Sequence, residues 1–178
     1  TDWYLDKSRV ASKLAVARAG TSELTELYCA SLAGLGRALR FRPWDPALLI
    51  GWASTKQLLG ESLCQLPFTA GSFEQALDLG LLHGAASPGV IYSAALVEHW
   101  AGHLSKRNEL LRSFLDSAVR IEATQMSFIV SVLKDPSDVN QIVPSRFPQI
   151  TLISESVWPK LRSADPKLLE ALEQTQMK

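Results

Sequence analysis

The chain is poor in the residues that most reactions and most metal sites need. It has three histidines and two cysteines in 178 residues. Cys29 and Cys64 stand in no metal-ligand spacing, and between a disulfide and two buried free thiols the free thiols are expected. Net charge is absent, with lysine plus arginine matching aspartate plus glutamate at 18 each, so no global field draws the chain to nucleic acid or anionic lipid. No apolar run approaches the roughly 18 residues that would span a bilayer. The longest candidate, Leu27 to Leu39, is broken by Gly34, Gly36 and Arg37. There is no glycine loop to cradle phosphate, no dinucleotide fingerprint and no catalytic triad. Gly60-Glu61-Ser62-Leu63-Cys64 comes nearest to a nucleophile elbow, but it lacks the second glycine and the preceding strand. Paired acids such as Glu23 and Glu26 read as a solvated helix face. These absences argue against an enzyme, a nucleic-acid binder and a membrane-spanning protein.

What is present is a set of capped helices. Hydrophobic residues make up 47% of the chain, enough to bury a core, and the length suits one domain. The first residue is Thr1 rather than Met, as expected of a processed product or a chain trimmed for expression, with any signal or transit peptide already gone. Asp45-Pro46, Ser87-Pro88, Asp135-Pro136 and Asp165-Pro166 each set a capping side chain before a proline that fits the first helical turn. Gly20-Thr21 reads as a helix end followed by a new cap. The spacing predicts helices near 4–19, 22–40, 46–64, 73–84, 88–104, 106–134 and 166–176, with short turns after Pro136 and near 154–162. In 106–134 the apolar positions, from Leu110 and Leu111 through Phe114, Leu115, Ala118 and Ile129 to Leu133, recur at three- and four-residue steps. No segment alternates as a strand does. Gln149 to Ser154 is flanked by prolines and reads as extended linker. The expected fold is all-α: a single compact domain of about seven to nine helices, with residues 1–45 a peripheral helical pair and a Pro-rich extended segment near 142–159.

The scarce residues gather in Phe73 to Leu104. An apolar helix stops at Gly84-Ala85-Ala86, and a second, begun by Ser87-Pro88, carries Tyr92, His99, Trp100 and His103. His99 and His103 are four apart and would share a helix face, the spacing of zinc-binding helices. The glutamate that hydrolytic zinc helices place after the first histidine is Trp100 here, Glu98 points away, and no third ligand is evident. A histidine bonded to a carbonyl is the plainer reading. A third is that His99 holds a ligand-borne metal such as the magnesium of a chlorin, which needs one imidazole beside apolar surface. Arg37, Arg40 and Arg42 with Phe41 and Trp44 form a basic-aromatic cluster suited to phosphate and stacking. It also sits at a helix C-terminus, where cations favour the dipole, and no second basic patch supports the first use.

Ile50-Gly51-Trp52-Ala53, Lys56-Gln57-Leu58 and Glu61-Ser62, then Ala76-Leu77-Asp78, Gly84-Ala85-Ala86, Ala94-Ala95 and His99, resemble the opening helix and the A-I-D…G-A-A…A-A…H segment of the peridinin–chlorophyll proteins. The likeness runs over about residues 48–140. It implies an all-α cup around chlorophyll and carotenoid, with His99 approaching the chlorophyll magnesium directly or through a water. Trp100, Tyr92 and Trp52 would then be pocket walls, and the location would be a plastid. Trp100 stands where that family has a second histidine, the family's D-W-N-N loop has no counterpart, and neither do residues 1–45.

The five tryptophans favour a binding surface. The expectation is therefore a non-enzymatic helical binding protein, in its most specific form a soluble light-harvesting or photosynthetic-complex protein. The alternative is a colourless helical adaptor or assembly subunit of a larger complex. Its partners would be other protein subunits, with any membrane association made through them. A metal-dependent enzyme using His99 and His103 is the remaining and weakest expectation.

Overall fold

In a computed structural model, residues 24–59, 64, 66, 69–133, 136–154 and 156 are described. The elements expected at 4–19 and 166–176, and the caps at Gly20-Thr21, Asp135 and Asp165, lie outside them. Every element among the described residues is helical: α1 (Leu24–Leu39), α2 (Pro46–Leu59), α3 (Phe73–Gly84), α4 (Pro88–Trp100), α5 (Leu104–Ser117), α6 (Ala123–Val132), α7 (Pro136–Ile142) and a segment at 148–154. The fold is all-α, as the capping pattern indicates. Its contacts cluster into two compact units, Thr1–Ala101 and Gly102–Lys178.

In the first unit α2 is the central helix. Leu48, Leu49, Ile50, Trp52, Ala53, Thr55 and Leu59 are all buried. They point to several sides, so α2 packs against α1, α3 and α4 rather than offering a single apolar stripe. Asp45 starts it as expected, its Oδ1 accepting from the backbone N–H groups of Ala47 (3.0 Å) and Leu48 (3.3 Å). At Ser87 the structure departs from expectation. The serine hydroxyl makes no cap bond, and the start of α4 rests on Pro88 and on the Ser87 carbonyl, which accepts from Val90 and Ile91. α3 opens with a capping box: the Ser72 hydroxyl accepts from Gln75 N–H, and Gln75 Oε1 accepts from Ser72 N–H at 3.0 Å.

Small residues let α3 approach its neighbours. Ala76, Gly80 and Gly84 are buried at four-residue spacing along it. A Cβ on Gly80 would sit 2.8 Å from Ile50 Cδ1, and one on Gly84 would meet Val90 Cγ1 at 2.6 Å and Pro46 Cβ at 2.8 Å. The backbone of α3 therefore lies directly on the first turns of α2 and α4.

Cys29 and Cys64 form a disulfide, Cα–Cα 5.5 Å, which corrects the expectation of free thiols. α1 and α2 pack side by side after a short turn. That arrangement returns the chain beyond α2 to α1, a proximity that cysteine spacing alone does not encode.

The second unit packs Leu111, Phe114 and Leu115 of α5, Ile129, Val130 and Leu133, and Val139, Ile142, Phe147 and Ile150 into its core. The single helix expected over 106–134 is two. α5 ends at Ser117, whose hydroxyl bonds the Phe114 carbonyl at 3.0 Å, while the Arg146 guanidinium takes the Leu115 carbonyl. α6 starts where Gln125 Oε1 accepts the Glu122 N–H at 2.9 Å. With the last carbonyls and first amides satisfied locally, the intervening residues leave the helix although the apolar period runs on. Residues 148–154, expected as extended linker, are helical: Phe147 and Ile150 are spaced to bury together, and the Phe147 carbonyl accepts from Ile150 N–H at 3.0 Å. Arg107 is buried, bonds Asn108 Oδ1 through Nε and Nη2, and is held below the usual guanidinium range by desolvation, partly offset by Asp138.

Two consequences can be measured by urea denaturation. Gly84→Ala meets the rigid Pro46 ring and is expected to destabilise by about 1–3 kcal/mol, whereas Gly89→Ala, with only Ser87 Oγ at 3.9 Å, is expected to be neutral or to stabilise by about 0.4–1 kcal/mol. The Cys29→Ser/Cys64→Ser double variant opens a ring with a sequence separation of 35 and is expected to lose about 3–4 kcal/mol, with reductant then having no further effect.

Candidate functional site

The turn between α1 and α2 is built from tight backbone bonds. Arg40 N–H donates to the Gly36 carbonyl, Phe41 and Arg42 N–H to Ala38, and Asp45 N–H to Arg42. Ala38 and Leu39 face the core. Pro43 and Pro46 restrict the backbone that follows. The result holds large apolar rings outward: Phe41 is 68% exposed and Trp44 60%. Trp44 also has a ring neighbour on one side. The contact of Gly84 with Pro46 brings the last turn of α3 against this turn, and the His83 ring lies 5.2 Å from that of Trp44, tilted by 40°. Leu82, in the same last turn of α3, is 72% exposed. Arg37, Arg40 and Arg42 are all exposed around Phe41, and Arg42 Nη1 lies 3.7 Å from Asp45 Oδ2.

The residues expected to hold a pigment are distributed differently. Trp52 is fully buried in the core of the first unit, its indole N–H donating to the Gly71 carbonyl at 3.4 Å, so it packs α2 and walls no open surface. Gly71 takes a positive φ of 88° and presents that carbonyl just before the Ser72 cap. Tyr92 and His99, seven residues apart on α4, are both half-buried on one flank of that helix. Trp100 is exposed, and its carbonyl accepts from Gln57 Nε2 at 3.3 Å. Glu98 is buried, on the core face of α4 with Ile91, Ala94 and Ala95.

His99 and His103 do not share a helix. α4 ends at Trp100 and Gly102 turns left-handed with φ 76°, the glycine terminator that Trp100-Ala101-Gly102 announces. His103 is exposed at the start of α5. Among the described residues no group of three His, Cys, Asp or Glu is placed to hold a metal, and no helix is long and apolar enough to cross a membrane.

The cluster of Arg37, Arg40, Phe41, Arg42 and Trp44 is visible in the sequence; the contribution of His83 is not. Its signal is the four-residue spacing of Ala76, Gly80 and Gly84, which predicts close approach at the end of α3 and so carries His83 to whatever flanks Pro46.

The Tyr92 phenol is pushed above its ordinary value of 10.0 by burial. The folded state therefore keeps the proton that the unfolded chain releases first. Its stabilising contribution is complete below about pH 10 and is lost as pH rises through the folded value. Urea midpoints measured from pH 9 upward should fall more steeply for the wild-type chain than for Tyr92→Phe.

Comparison with protein-family models, curated proteins and solved structures finds no significant match to the chain.

Proposed function

We propose that this chain is a non-enzymatic helical adaptor, an assembly subunit that docks a partner protein on the turn between α1 and α2. The observation that carries the reading is the outward presentation of Phe41 and Trp44: one ring is 68% and the other 60% exposed, and the Trp44 ring lies beside that of His83. A tryptophan in a folded domain is on average highly buried. Here the backbone bonds order the turn and the His83 ring restricts Trp44 on one side, and ordering before a partner arrives lowers the entropic cost of binding. Tryptophan and arginine are also the residues most enriched among those that dominate interface energies, and both occur in this turn.

The pigment reading keeps one supporting observation. Tyr92 and His99 lie half-buried on the same flank of α4, where an imidazole beside apolar surface would meet a chlorin's magnesium. Against it stands Trp52, one of the expected walls, which is occupied in the core.

Native mass spectrometry of the chain isolated from its source tests the adaptor reading. The wild-type chain is expected in an assembly of fixed stoichiometry, and Phe41→Ala/Trp44→Ala is expected to return it to the mass of the lone chain. Wild-type and variant chains of the same lone mass would overturn the reading. An absorption spectrum of the same preparation decides the pigment alternative. Blue and red bands that weaken in His99→Ala would make the protein a pigment carrier instead.

A further inference from the structure

The burial of α1 is uneven along its length. Its second half buries Leu32, Leu35, Ala38 and Leu39, whereas residues 25–30 are all half-buried or exposed. Tyr28, Leu32, Leu35 and Leu39 follow one face at three- and four-residue steps, and Tyr28 is the member that stays half-buried. The close approach of α1 to α2 lies in the half of each helix nearest the turn, where a Cβ on Gly51 would meet Leu35 Cδ2 at 3.4 Å. A helix packed firmly at one end frays at the other, because its outer turns have few buried contacts to offset the entropy of ordering them. What the outer end of α1 does have is the bond from Cys29 to Cys64. Both cysteines are half-buried rather than sealed in the core. α3 and α4 lie outside the ring that this bond closes, and α3 approaches its neighbours through Ile50, Pro46 and Val90.

We infer that the Cys29–Cys64 bond is a redox latch: a dithiol reductant opens it and releases residues 24–30, while α2, α3 and α4 stay packed. One thiolate of the reductant attacks a sulfur of the bond, forms a mixed disulfide and expels the other cysteine as a thiolate. The reductant's second thiolate then displaces the remaining cysteine. The protein bond takes up two electrons and two protons to give two thiols, and the dithiol becomes a disulfide. Release adds the half-buried surface of Leu27 and Tyr28 to what the first unit exposes, so the redox state sets how much of α1 is available for contact. Phe41 and Trp44 sit at the opposite end of the helix pair, and the latch does not depend on a partner docking there.

The test is hydrogen–deuterium exchange of the full-length chain, with and without dithiothreitol in native buffer, read by mass spectrometry of its peptides. The informative amides are those of residues 28–32, which donate to carbonyls in the first turns of α1. Reduction is expected to speed their exchange by about tenfold or more and to leave residues 46–55, α3 and α4 within about twofold of the oxidised chain. Alkylation should label Cys29 and Cys64 after reduction and neither before, and oxidised glutathione should restore both the bond and the slow exchange. Cys29→Ser/Cys64→Ser should exchange fast at 28–32 from the outset and ignore dithiothreitol. Unchanged exchange at 28–32 in the reduced chain would overturn the inference, since packing alone would then hold α1 in place. So would acceleration spread equally through α3 and α4, which would make the bond a staple of the whole unit. A bond that resists dithiothreitol until urea is added would overturn it as well. If the double variant does not fold, the oxidised and reduced wild-type chains still decide, because that comparison needs no substitution.

Discussion

The first unit depends on how closely α3 can lie on the helix beside it. Gly80 and Gly84 remove the side chains that would hold α3 away from Ile50 and Pro46, and Ala76 continues the same edge. Backbone-to-backbone approach of this kind multiplies dispersion contacts and excludes water, but it tolerates no added atom at the crossing. α2 can then be buried on several sides, which explains why a helix with Trp52, Ile50, Leu49 and Ala53 on different faces is stable in water. The same crossing sets the position of His83. A surface feature, the Trp44–His83 ring contact, is in this sense a by-product of a packing decision made in the core.

Much of this was legible in the sequence, and the misses have physical causes. Asp45-Pro46 and the start at Phe73 mark real helix beginnings, because an N-terminal cap is a local event involving three or four consecutive residues. Helix ends were harder. The apolar period continues through residues 118–122, yet Ser117 and Glu122 satisfy the backbone on either side of a break that hydrophobic spacing cannot register. Gly102, in the left-handed region after Trp100, ends α4 before His103, so the four-residue spacing of the two histidines is not a helical one. The Cys29–Cys64 bond was not legible, since a separation of 35 residues is compatible with any distance until α1 and α2 are known to run side by side.

The candidate site divides in the same way. The run from Arg37 to Trp44 shows its composition openly, and its place at a helix end was evident. Exposure was the missing quantity. An aromatic ring in such a run is as often a core residue, and only the packing of Ala38 and Leu39 inward leaves Phe41 outside. Trp52 shows the converse. A tryptophan placed by resemblance at a pocket wall is satisfied internally, with its one polar atom bonded to a carbonyl of the chain.

The cysteine cross-link has a topological consequence. The covalent ring it closes runs from Cys29 through the rest of α1, around the turn and along α2 to Cys64, so the run from Arg37 to Trp44 lies inside the ring. A protease that cuts after Arg40 severs the main chain without releasing either piece. The two segments stay tethered at one end and packed along their length, and the surface can be nicked without being lost. The chain is thus protected at this exposed turn by a bond placed at the far end of the helix pair.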